Sequence, residues 1–212
     1  MSKLSEKDLF LVGEKYRKRI QEFGLGFDSL KSGSVEKQNM RHKVHASSIK
    51  TEYPSVLDIG SGLGDFYNYL KSTNQRFQYT GYDIVSEYVD FCNHNYKEAK
   101  FYKRNVFDEG IGGEFDNIVL SQVLNNRYET SDNMEVMKEM MSICFQHCKV
   151  GISIDMMSEY VDFKNDELFY YSPEKIFSHA KSLTKRVLLR HDHRPFEFCI
   201  QLFKMDAPDF VW

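Results

Sequence analysis

Ser55-Val56-Leu57-Asp58-Ile59-Gly60-Ser61-Gly62-Leu63-Gly64-Asp65 is the stretch of sequence that decides the fold. Its apolar first half is typical of a buried parallel strand, and residues 66–70 beyond it favour a helix. The glycines at Gly60, Gly62 and Gly64 fall on the turn between strand and helix. Glycine tolerates positive φ and lets the backbone approach a ligand closely. In an α/β sheet such a turn lies at the carboxyl ends of the strands, so the stretch predicts a ligand site there.

Acidic residues around this turn indicate which kind of ligand it binds. The NAD fingerprint is Gly-x-Gly-x-x-Gly, but Asp65 stands at its third required position. A carboxylate at a helix N-terminus repels a pyrophosphate, which disfavours an NAD-linked oxidoreductase. Asp58 precedes the first glycine, and an acidic group there suits a cationic ligand. Asp83 follows 25 residues later, at the end of the next predicted strand. Its carboxylate can accept from both ribose hydroxyls of an adenosine; the alternative role is a helix N-cap.

Together, these acids and glycines resemble motifs I and II of the class I S-adenosylmethionine (SAM)-dependent methyltransferases. The resemblance covers roughly residues 55–204 and implies SAM as the cofactor. It implies these cofactor contacts from the first two strands: Asp58, Gly60, Ser61, Gly62 and Gly64 near the amino-acid end, and Asp83 and Ile84 near the ribose.

The next two strand ends complete the implied cofactor site. Many family members carry an acid at the end of the third strand, where this chain has Asn105. The resemblance assigns the contact with the adenine to Asn105 and Val106, and Asp108 is the alternative residue for this contact. After the fourth strand, Ser121 and Gln122 are expected to line the cleft. No Asn/Asp-Pro-Pro-Tyr motif follows there, which disfavours a DNA adenine methyltransferase.

Alternation of strands and helices beyond residue 55 predicts an α/β fold. We place strands at 55–59, 78–83, 100–105, 115–120, 148–155, 185–191 and 196–204, and helices at 64–72, 86–95, 132–146 and 173–182. The link at 192–195 is too short for a parallel crossover, so the last two strands must form an antiparallel hairpin. The predicted fold is a doubly wound, mostly parallel seven-stranded sheet with an antiparallel C-terminal hairpin and an N-terminal helical cap.

The N-terminal region is predicted to form two helices, at 5–23 and 35–49, that cover the glycine-rich face. Ser5 with Asp8 resembles a capping box. We assign 1–50 to a cap of the same domain and 51–212 to the SAM-binding domain. Arg41 is a candidate partner for the carboxylate of SAM; the alternative is a solvated basic face.

Composition limits the location and the partners. The 212 residues carry a net charge of −3, so no general nucleic-acid footprint is visible. No 18-residue apolar run and no signal-peptide core are present, so neither membrane insertion nor secretion is expected. The 4 cysteines lack paired C-x-x-C spacing and are interpreted as reduced core thiols of a cytoplasmic protein.

The methyl acceptor is predicted only by class. A small molecule or an isolated polar group is expected; a non-catalytic SAM-binding protein, or a methyltransferase acting on RNA or protein, are the alternatives. Residues 125–127 and the insert 156–171 contact the acceptor or are ordinary loops. His191 and His193 act as a general base or are polar hairpin residues. No metal is expected.

Overall fold

A single sheet organises the computed structural model, which describes residues 3–30 and 33–207. Within those ranges the strands are β1 (Ser55–Ile59), β2 (Gln78–Asp83), β3 (Lys100–Lys103), β4 (Phe115–Leu120), β5 (Cys148–Met157), β6 (Arg186–Arg194) and β7 (Glu197–Phe203). Their order in the sheet is β3-β2-β1-β4-β5-β7-β6. β1 to β5 pair in parallel, whereas β7 is antiparallel to both β5 and β6. The predicted fold class is confirmed.

Helices cover both faces of this sheet. They are α1 (Glu6–Phe23), α2 (Val35–Ala46), α3 (Asp65–Ser72), α4 (Ser86–Asn95), α5 (Val106–Glu109), α6 (Asn133–His147) and α7 (Pro173–Leu183). Successive residues of a strand point to opposite faces, so Val56 packs with the core beneath α3 and α4, while Leu57 packs with the core beneath α6 and α7. Burial on both faces explains why β1 is apolar almost throughout.

Three predicted strand ends differ from the structure by two residues or more. β3 ends at Lys103 rather than at 105, because Asn105 caps the short helix α5, which was not predicted. The Asn105 side-chain oxygen accepts from the Phe107 N–H at 3.2 Å. β5 and β6 run past their predicted ends to Met157 and Arg194.

Asp8 holds the first helix to the rest of the chain, which is not the role expected of it. The Ser5 hydroxyl caps α1 as predicted, accepting from the Asp8 N–H at 3.1 Å. The reciprocal bond of a capping box is absent, because the Ser5 N–H donates to the Ser131 hydroxyl. The Asp8 carboxylate instead accepts from backbone N–H groups of 129–131, at 2.7 Å from Glu129 and from Ser131.

The division of the chain into a cap at 1–50 and a SAM-binding domain at 51–212 stays a prediction. Residues 208–212 lie outside the described residues.

Cysteine burial agrees with the sequence prediction. The thiols are all free and buried, at Cys92, Cys144, Cys148 and Cys199. Burial raises the pKa of the Cys144 thiol above its usual range, which keeps it protonated and unreactive. In the described part of the chain, no helix has the length and apolar character needed to cross a membrane.

Candidate active site

A cavity opens at the carboxyl ends of β1, β2 and β4. Its empty space, including the open mouth, is about 1170 Å³. All the residues predicted to bind the cofactor line it except Gly64. These residues come from five separate segments of the sequence, and the fold brings them to one place.

Positive backbone angles explain the glycines of the turn. Gly60 has φ +75°, and a Cβ added there would lie 2.6 Å from a methyl carbon of Val123. Gly64 has φ +77° and is the N-cap residue of α3, where a Cβ would lie 2.7 Å from the Tyr96 ring. Only glycine satisfies both conditions. Gly64 therefore shapes the turn from behind instead of facing the cavity.

Asp83 fixes the loop ends around the turn and still faces the cavity. Its Oδ2 accepts from the Gly62 N–H and its Oδ1 from the Val85 N–H, each at 2.9 Å. The N-cap residue of α4 is Val85, so the helix-cap alternative for Asp83 is wrong. Burial raises the pKa of Asp83, and the backbone hydrogen bonds lower it in part. Each carboxylate oxygen keeps a lone pair, so Asp83 can accept from two further hydroxyls.

Two more carboxylates, Asp58 and Asp65, line the same wall. Asp58 accepts from the Tyr79 hydroxyl at 2.5 Å, and burial raises its pKa to about 7. Asp65 is the first residue of α3 and accepts from the Gln38 amide at 3.2 Å; burial raises its pKa as well. With Asp83, this makes a wall of acids that favours a cationic ligand and disfavours a diphosphate.

Part of the cavity lining is apolar. Val106, Phe107 and Leu124 line the cavity. Asn105 also lines it, but its amide is engaged in capping α5: its Nδ2 donates to the Asp108 carboxylate at 2.5 Å. Asp108, the rival for the adenine contact, is not among the lining residues. An aromatic base would be held here by apolar walls and by the backbone near Val106.

Asp155, on β5, positions the tip of β4. It accepts from the Gln122 N–H at 2.5 Å and from the Ser121 hydroxyl at 3.2 Å. On its other side His45 Nε2 lies 3.1 Å from the same carboxylate. Burial alone would lower the pKa of His45, but Asp155 raises it to about 10, and His45 in turn keeps the pKa of Asp155 low. The two form a buried ion pair directly behind the cavity lining.

The second helix presents a polar face to the interior. Arg41 and His42 are each 3% exposed, so the solvated-face alternative is wrong for both. Arg41 lines the cavity, and its Nη1 lies 3.3 Å from the Glu197 carboxylate. His42 also lines the cavity, and burial lowers its pKa to about 3, which keeps the imidazole neutral at physiological pH.

A family model described as a methyltransferase domain matches residues 50–187, more than half of the 212-residue chain. The chain belongs to the methyltransferase domain family. One relative is Rv1506c of Mycobacterium tuberculosis (strain ATCC 25618 / H37Rv), whose name assigns it provisionally to the methyltransferases. It is 27% identical to this chain over 158 residues, and the match covers 71% of this chain and 93% of that protein. The resemblance predicted from the motifs is confirmed.

Solved structures show the same fold at low identity. DhpI in complex with SAH (S-adenosylhomocysteine) superposes with a TM-score of 0.69 at 13% identity, covering 93% of this chain and 97% of DhpI. The magnesium protoporphyrin IX methyltransferase ChlM from Synechocystis PCC 6803 superposes with a TM-score of 0.63 at 12% identity, covering 93% and 99%. At such identities the likeness concerns the fold and not the substrate.

Several polar residues offered as acceptor contacts have structural roles in this methyltransferase. Asn125 bonds Gln122 and the Met157 backbone, Asn126 accepts from Lys15 at 3.0 Å, and Arg127 donates to carbonyls of 166 and 168. No residue of the insert 156–171 is among those lining the cavity, and neither is His191 or His193.

Other parts of the wall were not predicted as site residues. Leu9, Val12 and Tyr16 of α1 form the roof of the cavity, on the apolar face that the 3.6-residue period identifies. His42 was missed because a polar helix is usually interpreted as exposed. Its signal was the spacing of Gln38, Arg41, His42 and His45, which recurs at helical steps and so marks one face.

Proposed function

We propose that this methyltransferase transfers a methyl group from SAM to a small molecule or an isolated polar group. The supporting observation is the cavity itself. It is lined by a glycine turn that has no room for a Cβ and by the carboxylates of Asp58 and Asp83. Bound SAM would supply an electrophilic methyl group on a sulfonium. Much of the work left to the protein is to hold the reactants in line and exclude water.

Each part of the lining has a role in this proposal. Asp83, with both oxygens braced by backbone N–H groups, accepts from the ribose hydroxyls. The turn at 60–62 holds the amino-acid end, and the negative charge of Asp58 attracts its ammonium group. Val106 and its apolar neighbours hold the adenine, with Asn105 shaping α5 rather than contacting the ring through its amide.

A small acceptor is supported by the partly covered cavity, by the net charge and by the similar enzymes. Leu9, Val12 and Tyr16 of α1 line the cavity, and the net charge of −3 gives no general basic excess for a nucleic acid. Among the similar structures, one is named as a magnesium protoporphyrin IX methyltransferase and another, from human, as an N-acetylserotonin methyltransferase. A cytoplasmic location stays part of the proposal, supported by the four free thiols.

Transfer of a labelled methyl group tests this function. The purified protein is incubated with SAM carrying a tritiated methyl group and a cell extract divided into small-molecule, RNA and protein fractions. We expect label to move into the small-molecule fraction. Label entering only RNA or protein would refute the proposed acceptor class. SAM binding without transfer to any fraction would favour a non-catalytic SAM-binding protein.

A further inference from the structure

The side-chain amide of Gln122 has an orientation fixed by its neighbours. The Met157 backbone N–H, which can only donate, donates to Asn125 Oδ1 at 3.0 Å. Asn125 must then use its Nδ2 as the donor, and it donates to Gln122 Oε1 at 2.8 Å. Because an amide has one acceptor and one donor end, the remaining end of Gln122 is the donor Nε2.

The backbone of Gln122 is fixed as well. Gln122 has φ +61°, a left-handed conformation that non-glycine residues rarely adopt. Its N–H donates to Asp155 at 2.5 Å, and Asp155 is itself paired with His45. Strained backbone held in this way is found at ligand sites more often than elsewhere. The donor therefore stays in place before any ligand binds.

This fixed donor lacks a protein partner. Gln122 Nε2 is buried and has no hydrogen-bond partner among the described residues, and Gln122 lines the cavity. A buried N–H without an acceptor is unfavourable, so a ligand oxygen that reaches it gains a hydrogen bond at little reorganisation cost. The missing acceptor is expected to come from the bound ligand.

Sheet order indicates which part of the ligand reaches Gln122. Asp83 ends β2 and Asn105 follows β3, both on one side of β1, whereas Gln122 follows β4 on the other side. If the nucleoside lies over β2 and β3, as the proposed function requires, the amino-acid end extends over β1 to β4. Its carboxylate is the group there that offers strong acceptor oxygens.

We propose that Gln122 Nε2, and not Arg41, is the side-chain donor to the carboxylate of the cofactor. The Arg41 guanidinium already faces Glu197 at 3.3 Å and Asp155 at 4.0 Å. Its positive charge is thus compensated by acids of the protein, whereas the Gln122 donor is not used. The assignment rests on the proposed function, because it takes SAM or SAH as the ligand.

Two ligands that differ only by the amino-acid part separate this role from a general effect on the site. SAH has the carboxylate, whereas 5′-methylthioadenosine keeps the adenine, the ribose and the sulfur but lacks the amino-acid end. Calorimetric titration of Gln122→Met should show SAH binding weakened roughly 10- to 100-fold, with 5′-methylthioadenosine unchanged within about twofold. Gln122→Glu keeps the oxygen that is bonded to Asn125 but replaces the donor by a second oxygen. It should therefore weaken SAH binding relative to 5′-methylthioadenosine binding at least as strongly as Gln122→Met does.

Asp83→Ala is the matched control, because both ligands carry the ribose. It should weaken both by a similar factor, in protein whose thermal unfolding shows that it is folded. An equal loss for the two ligands in Gln122→Met, or unchanged SAH binding, would overturn the assignment while leaving the proposed function standing. Wild-type protein that binds neither ligand would overturn the proposed function and the assignment with it.

Discussion

Replacing Asp8 by alanine should remove the main attachment of α1 to the loop at 129–131. The carboxylate is 2% exposed and accepts from three backbone N–H groups and three hydroxyls. Hydrogen bonds to a charged group contribute about 1.5–3 kcal/mol each, but a group of them acting together is not additive. Water can replace some of them near the surface. We therefore expect Asp8→Ala to lower the free energy of unfolding by about 3–4 kcal/mol, measured by urea denaturation.

Two variants control for this effect. Asp8→Asn keeps one acceptor oxygen and should lose only about 1–2 kcal/mol. Glu6→Ala, at an exposed position in the same helical turn, should stay within about 0.5 kcal/mol of wild type. A loss below about 1 kcal/mol in Asp8→Ala would refute the reasoning.

Acid should weaken the same attachment. Burial raises the pKa of Asp8, but hydrogen bonds from Ser131, Thr130 and Glu129 outweigh burial, so the net pKa is lowered in the folded protein. A lowered folded pKa means that the carboxylate stabilises the fold above its unfolded pKa of about 4. This contribution is lost as the pH falls towards the folded value. The stability difference between wild type and Asp8→Asn should therefore shrink below about pH 4.

Three further predictions concern the turn and the charges around it. Gly60→Ala places a side chain at positive φ, which costs roughly 1–2 kcal/mol, and the added Cβ would also lie 2.6 Å from a methyl carbon of Val123. Urea denaturation should therefore show a loss above about 2 kcal/mol, and a smaller loss would contradict the clash. The pKa of His45 is raised to about 10, so its pairing with Asp155 stabilises the fold fully below about pH 6.5 and is lost as the pH rises through 10. The difference in unfolding free energy between wild type and His45→Gln should therefore shrink over that pH range. A constant difference would argue against the pair. The pKa of Asp58 is raised to about 7, and a cationic ligand favours its ionised form. Calorimetry should therefore show SAM binding that tightens from pH 6 to 8 and releases a proton, and Asp58→Asn should remove this pH dependence. Proton uptake on binding would contradict this role of Asp58.

The fold could be predicted from sequence because its signals are local. β1, β2 and β4 have the bounds expected from apolar runs that end at glycine or at polar residues. The short loop before Glu197 forces an antiparallel hairpin whatever the rest of the chain does. β3 was predicted too long because the Asn105 side chain competes for the backbone and starts α5 instead, a preference that the strand pattern does not reveal.

The residues alone predict the candidate site where backbone conformation dictates residue type. The glycines and Asp83 follow from a turn that needs positive φ and from the end of a strand. Arg41, Asn125 and Asp8 each bond a residue more than 30 positions away, at Glu197, Met157 and Glu129, and no periodicity relates these pairs. The polar face of α2 is buried because Asp155 and Glu197, which are distant in sequence, pack against it. The sequence alone therefore could not decide between a buried and a solvated face.

Calorimetric titration with SAM, compared with NADH, tests the central claim most directly. We expect micromolar SAM binding to wild type and weaker NADH binding. Folded Asp83→Ala should lose about 1–3 kcal/mol of SAM binding, because its site leaves ribose hydroxyls unpaired. NADH binding tighter than that of SAM, or SAM binding that is unchanged in Asp83→Ala, would contradict it.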